Sequence, residues 1–179
     1  MSVGIVIMML ALTLLLLTGT TEMTQNLTPQ TKPAVDGSHD LDFWLGTWTA
    51  DSTQYTPGQP DQKPTFNKNY VANTITRSMK DQVIHERFDG KTMNFNGESW
   101  SVYNKQTGQW QQTWVDDSGG YIPLTGGKIG KDFILTTLNG KSRMRFHNIT
   151  KDSFDWMWEG QAKDGSGKWV PLWLLNYKR

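Results

Sequence analysis

The chain has 179 residues, 36% of them hydrophobic, a formal charge of +1 and a pI near 7.9. No basic excess is left to neutralise phosphates, which excludes nucleic acid as a partner. The absence of cysteine excludes thiol catalysis, Cys-ligated zinc and haem attachment through Cys-x-x-Cys-His, and leaves an exported domain to rely on its core rather than on disulfides.

Val3 to Leu17 is an apolar run with no charge before Glu22. It is short for a membrane span and suits the apolar region of an export signal, although no Lys or Arg precedes it. Residues 1–20 are therefore read as an export signal or, if uncleaved, an N-terminal anchor through residues 3–17. That places the remainder in the periplasm or outside the cell, with membrane contact through this segment alone. Leu17-Thr18-Gly19-Thr20 has Thr where a lipoprotein signal would carry its lipidated Cys, so lipid attachment there is excluded. Residues 21–40 are rich in Thr, Gln, Pro, Asn and Gly and read as a flexible tether.

From Leu41 to Arg179 apolar and polar residues alternate between closely spaced turn signals, among them Asp89-Gly90, Ser118-Gly119-Gly120, Asn139-Gly140 and Asp164-Gly165. Strands are predicted near 46–55, 65–77, 82–89, 96–104, 109–117, 120–126, 132–138, 141–149, 153–161 and 168–178. No βαβ pattern intervenes, and strands of this number favour closure because closure removes exposed edges. The expected fold is all-β: a single antiparallel up-and-down β-barrel of about ten strands over residues 41–179. All nine tryptophans fall between Trp44 and Trp173, which marks the folded region.

Two motifs carry a family resemblance. The first is Asp42-Phe43-Trp44-Leu45-Gly46-Thr47-Trp48, where glycine permits a sharp entrance to the sheet and Trp48 can plug the barrel floor. The second is Trp110-Gln111-Gln112-Thr113-Trp114-Val115-Asp116. Together with Ile84-His85-Glu86, Arg143, Trp158-Glu159 and the closing Tyr177-Lys178-Arg179, they resemble the lipocalin-like, calycin-type family of exported bacterial proteins of unknown function. Phe146 stands where that pattern usually has tryptophan. The resemblance implies a lipocalin-like barrel, with Arg179 or Lys178 stacked on Trp48, and supplies no established catalytic residue.

Strand alternation nominates the interior. Ile84 and Phe88 carry Glu86 inward, and Val71 and Ile75 carry Arg77 inward as its expected salt-bridge partner. Trp110 and Trp114 carry Gln112 inward. Trp100 with Val102, and Phe154 with Trp156 and Trp158, complete an aromatic set that either walls a pocket with one polar handle or fills the barrel. The candidate ligand-binding residues are thus Glu86, Gln112, Trp114, Trp100, Trp156, Trp158 and Arg77. Glu86 has two readings: a group that orients a ligand or moves a proton, or half of a structural ion pair. Arg143, Arg145 and His147 alternate with Met144 and Phe146; they either form a solvated outer stripe, which the apolar alternation favours, or turn inward to bind an anionic head group.

His39, His85 and His147 lack metal-ligand spacing, and no nucleophile elbow or phosphate-cradling loop occurs. No cofactor or metal is expected. The leading expectation is an exported binding barrel for a small apolar or amphipathic molecule, favoured over an enzyme. The alternatives are a cyclase- or isomerase-type enzyme using an interior Glu, and a solid structural or interaction barrel.

Overall fold

A computed structural model describes residues 36–58, 62–92 and 94–179; the segments read from sequence as an export signal and, up to residue 35, as a tether lie outside them. Ten antiparallel strands run up and down in chain order, and β1 pairs with both β2 and β10 to close the barrel. They are β1 (Gly46–Gln54), β2 (Thr65–Ser78), β3 (Val83–Gly90), β4 (Phe95–Asn104), β5 (Gln109–Asp116), β6 (Tyr121–Ile129), β7 (Asp132–Thr137), β8 (Ser142–His147), β9 (Ser153–Gln161) and β10 (Trp169–Lys178). The expected all-β barrel is the observed one, with strand limits within a few residues of those predicted.

Alternation drives closure. In β3, Ile84, Glu86 and Phe88 are buried while Arg87 and Asp89 face water. The β7–β8 turn uses Gly140 at φ 69°, its N–H donated to Thr137 O at 2.8 Å. That left-handed backbone disfavours a side chain. Where the β1–β2 register shifts between Ala50 and Ser52, the Asp51 carboxylate accepts the Asn69 N–H at 2.7 Å, a local bulge that sharpens the twist.

The turns after β2, β4, β6 and β8 gather at one end, here called the lower end, with both ends of the barrel chain. Gly37 to Leu45, including a 3₁₀ turn over Asp42–Trp44, lies across this end. Gly37 is buried, its N–H donated to the Tyr103 hydroxyl at 3.2 Å and its carbonyl accepting Trp110 Nε1 at 3.0 Å. Gly37, expected within the tether, is thus held against the barrel end. A glycine with no side chain to bury gave no apolar signal for this contact.

Trp48 is wholly buried and donates Nε1 to Trp44 O at 2.7 Å. The Arg179 guanidinium lies 4.0 Å from the centre of its ring and donates to Leu45 O at 2.6 Å. Of the two cations anticipated here, Arg179 makes the contact, while Lys178 pairs with Asp51 at 3.2 Å. Gly46 sits at φ +120°, and a side chain there would press on the Arg179 guanidinium. Above this floor Trp110, Phe133, Phe146 and Phe154 are almost fully buried. Phe43 meets Phe133, Phe146 and Phe154 edge-on at 5.6–6.5 Å, so the lower half is filled with rings. Outside, Arg143, Arg145 and His147 face away from buried Met144 and Phe146 as expected. Both arginines are paired, Arg143 with Glu159 at 2.5 Å and Arg145 with Asp132 at 2.7 Å.

Candidate functional site

The upper half is built differently. Trp114 from β5, Trp156 and Trp158 from β9 and Trp173 from β10 stand half-buried around a void of about 170 Å³. The void reaches the rim beside Phe95, Asp116 and Ile122. Trp156 and Trp158 lie nearly parallel at 6.4 Å, and Trp173 meets Trp156 edge-on at 5.6 Å. Phe88 meets Trp114 edge-on at 5.6 Å. Gly97 on the neighbouring strand makes room for the Trp114 ring, which a Cβ at that position would strike.

Glu86 lies in the wall of this void and is 6% exposed. Its partners are neutral: Asn73 Nδ2 donates to Oε1 at 2.7 Å and Ser99 Oγ donates to Oε2 at 2.6 Å. Burial pushes the Glu86 carboxyl up to about 7, against the downward pull of the Ser99 and Asn73 hydrogen bonds. Asn73 Nδ2 also donates to the Tyr177 hydroxyl at 3.2 Å. Burial and the neighbouring Glu86 charge raise the Tyr177 phenol well above its ordinary value, so it stays neutral. The buried Trp44 Nε1–H finds no acceptor among the described residues; it lines the void, as does Tyr177.

Asp116 is the second carboxylate in the wall. Burial raises it, but the Ser118 hydroxyl, the Trp114 indole and the Gly120 and Ser118 backbone N–H groups outweigh that and hold it below the usual carboxylate value. The Trp114 Nε1–H bond to it measures 2.9 Å and fixes the ring at the rim.

Of the residues nominated by alternation, the structure brings Glu86, Trp114, Trp156 and Trp158 together at the void. Gln112 points inward and is buried, but it lies one inward step below Trp114 and bonds Ser101 Oγ at 2.8 Å instead of lining the void. Trp100 is on the outer face, 39% exposed and stacked 4.9 Å from His85. The central inward positions of β4, between Phe95 and Tyr103, are Gly97, Ser99 and Ser101, because Trp114 and Glu86 occupy the space that larger side chains would need there. Arg77 does not pair with Glu86. It shares the inward parity of Val71 and Ile75, but its cross-strand neighbour is Ile84, one inward step nearer the lower end than Glu86. From there it forms an ion pair with Asp42 and donates to Asp81 O at 2.6 Å. Asn73, Ser99, Tyr177, Trp44 and Trp173 complete the site without having been nominated. Asn73, set between Val71 and Ile75, was the one legible from alternation.

Two larger hollows, of about 630 and 910 Å³, are grooves on the outer surface. None of the unpartnered buried polar atoms belongs to their lining residues. Among the described residues no three His, Asp or Glu side chains cluster as metal ligands. No protein-family model and no curated protein matches the chain in sequence. Fold and site therefore define the class: an up-and-down β-barrel, solid at one end and holding an aromatic void at the other.

Proposed function

We propose that this chain is an exported binding module, akin to the lipocalin-like family its motifs resemble, that holds a ring-sized, partly apolar small molecule. The observation that carries this reading is the void itself, bordered by half-buried indoles and by the buried Trp44 Nε1–H, which lacks a partner among the described residues. Drug-sized sites start at roughly 300 Å³, so the void of about 170 Å³ is too small for a bulky ligand. It is close to the roughly 150 Å³ of an engineered apolar cavity that admits benzene. A molecule with one ring, its polar atom meeting the Trp44 Nε1–H, matches that volume and that donor. A barrel evolved only as a solid scaffold would place rings here as it does below. Native mass spectrometry of the full chain from its own host tests the reading. An adduct of ring-sized mass that disappears in Trp114→Ala is the expected result. A bare chain that also binds no single-ring compound would contradict it.

A second reading is favoured by one observation: a carboxyl poised near neutrality beside a void is suited to general acid–base work. On that reading Glu86 moves a proton on a small apolar substrate in an isomerase- or cyclase-type step. Glu86→Gln would then abolish turnover while leaving binding of a neutral ligand intact.

A further inference from the structure

We infer that the ligand of the upper void is a small ring-bearing monocation, an aralkylamine, for which Glu86 is the counter-ion. This rests on the binding reading above and adds to it the charge of the ligand.

The wall of the void carries charge of one sign only. Among the described residues it holds two carboxylates, Glu86 and Asp116, and no Lys, Arg or His. The two buried glutamates of the barrel make an internal control. Glu159, 5% exposed, has Arg143 at 2.5 Å, whereas Glu86, 6% exposed, has only an amide and a hydroxyl. An ionised carboxylate held out of water without a cation is costly, and a cation from outside removes that cost. The groups that face Glu86 from neighbouring strands offer none: Asn73 on β2, Ser99 on β4 and the neutral Tyr177 on β10. His85, the adjacent residue, points outward to Glu98 at 2.9 Å, Asp116 at the rim adds negative charge, and Arg77 is committed to Asp42.

The remaining wall suits the same ligand. Faces of Trp and Tyr attract ammonium groups by their quadrupole. This barrel already uses that contact twice, Arg179 over Trp48 at 4.0 Å and Arg143 over Trp169 at 4.3 Å. In the void, Trp114, Trp156, Trp158 and Tyr177 supply such rings with no internal cation to occupy them. A ligand that places its ammonium against Glu86 and its ring among the indoles satisfies both features.

The linkage has a definite sign. With burial pushing its carboxyl up to about 7, Glu86 is partly protonated near neutral pH, and a bound ammonium favours the carboxylate. Binding near pH 7 then releases protons from Glu86 to solvent. A neutral ligand that accepts a hydrogen bond from the protonated acid would take up protons instead.

Titration calorimetry of the full chain with benzylamine and benzyl alcohol, in two buffers of different ionisation enthalpy, tests the inference. Benzylamine is expected to bind about ten-fold or more tightly than benzyl alcohol near pH 8, to release protons near pH 7, and to lose its advantage toward pH 5. Glu86→Gln should show no preference for benzylamine over benzyl alcohol and no proton release near pH 7. Equal or tighter binding of benzyl alcohol, or proton uptake with benzylamine, overturns the inference while the binding reading stands. A preference that survives in folded Glu86→Gln overturns it too, because the cation would then be held elsewhere. If neither compound binds, both readings fall. Should Glu86→Gln not fold, the pH dependence and the proton count of the unaltered chain decide the matter.

Discussion

The lower and upper halves of the barrel draw on the same aromatic composition and use it for opposite ends. Below, Trp48, Trp110, Phe133, Phe146 and Phe154 are at most 1% exposed and interlock edge to face. Above, Trp114, Trp156, Trp158 and Trp173 are half-buried and leave a void between them. Their polar groups differ in the same way. The Trp48 N–H and the Arg179 guanidinium both find backbone carbonyls, whereas the Trp44 N–H, which borders the void from beneath, finds no acceptor among the described residues. A ring that fills space contributes stability; a ring that borders empty space contributes a surface. The barrel is held together from below and is available from above.

Truncating rings in the two halves should separate these roles most strongly. Trp48→Ala removes a buried indole, a hydrogen bond and the seat of Arg179, and is expected to cost about 3–5 kcal/mol in urea unfolding. Trp156→Ala, in the same assay, should cost no more than about 2 kcal/mol, because its ring already faces a void. Similar losses would mean that the upper rings are core after all.

The next effect concerns pH. The native Glu86 carboxyl, at about 7, stands above its ordinary 4.5, so the folded state holds a proton that the unfolded state releases. Stability is therefore full below about pH 4.5 and falls as pH rises toward 7, by roughly 3 kcal/mol from this group. Glu86→Gln should flatten that part of the stability–pH curve. A wild-type curve that rises through the same window would contradict the assignment.

Gly97→Ala should sharpen the contrast further. Its methyl would push the Trp114 ring toward the void, costing about 1–3 kcal/mol by overpacking and shrinking the space for a ligand. Unchanged binding of a single-ring compound would show that the Trp114 position is not part of the site. The smallest effect is expected at Arg179→Met, about 0.5–1 kcal/mol for an exposed cation over a ring, with the upper void unaltered.

The fold was legible because strand alternation and Gly-containing turns act locally: Asn139-Gly140 turns where such a pair should, and β3 buries every second residue. Parity also placed Glu86, Gln112, Trp114 and Arg77 on inward positions. It did not give height along the barrel axis. Arg77 and Glu86 share the interior, but strand pairing puts Ile75, not Arg77, opposite Glu86. Trp100 misled for a different reason. Alternation read by residue size turns the large side chains of β4 inward, yet the interior there is already occupied by Trp114 from the next strand, so glycine and serine face in. The size of the void was not legible, because it depends on how half-buried rings from β5, β9 and β10 meet across the barrel.

The central claim, that the upper half holds a ring-sized ligand space and the lower half does not, is tested most directly by a crystal structure of the chain exposed to benzene. The account predicts one benzene ring among Trp114, Trp156 and Trp158, with Phe133, Phe146 and Phe154 unmoved. An upper half without benzene at saturation, or a benzene lodged in the lower core, would contradict it.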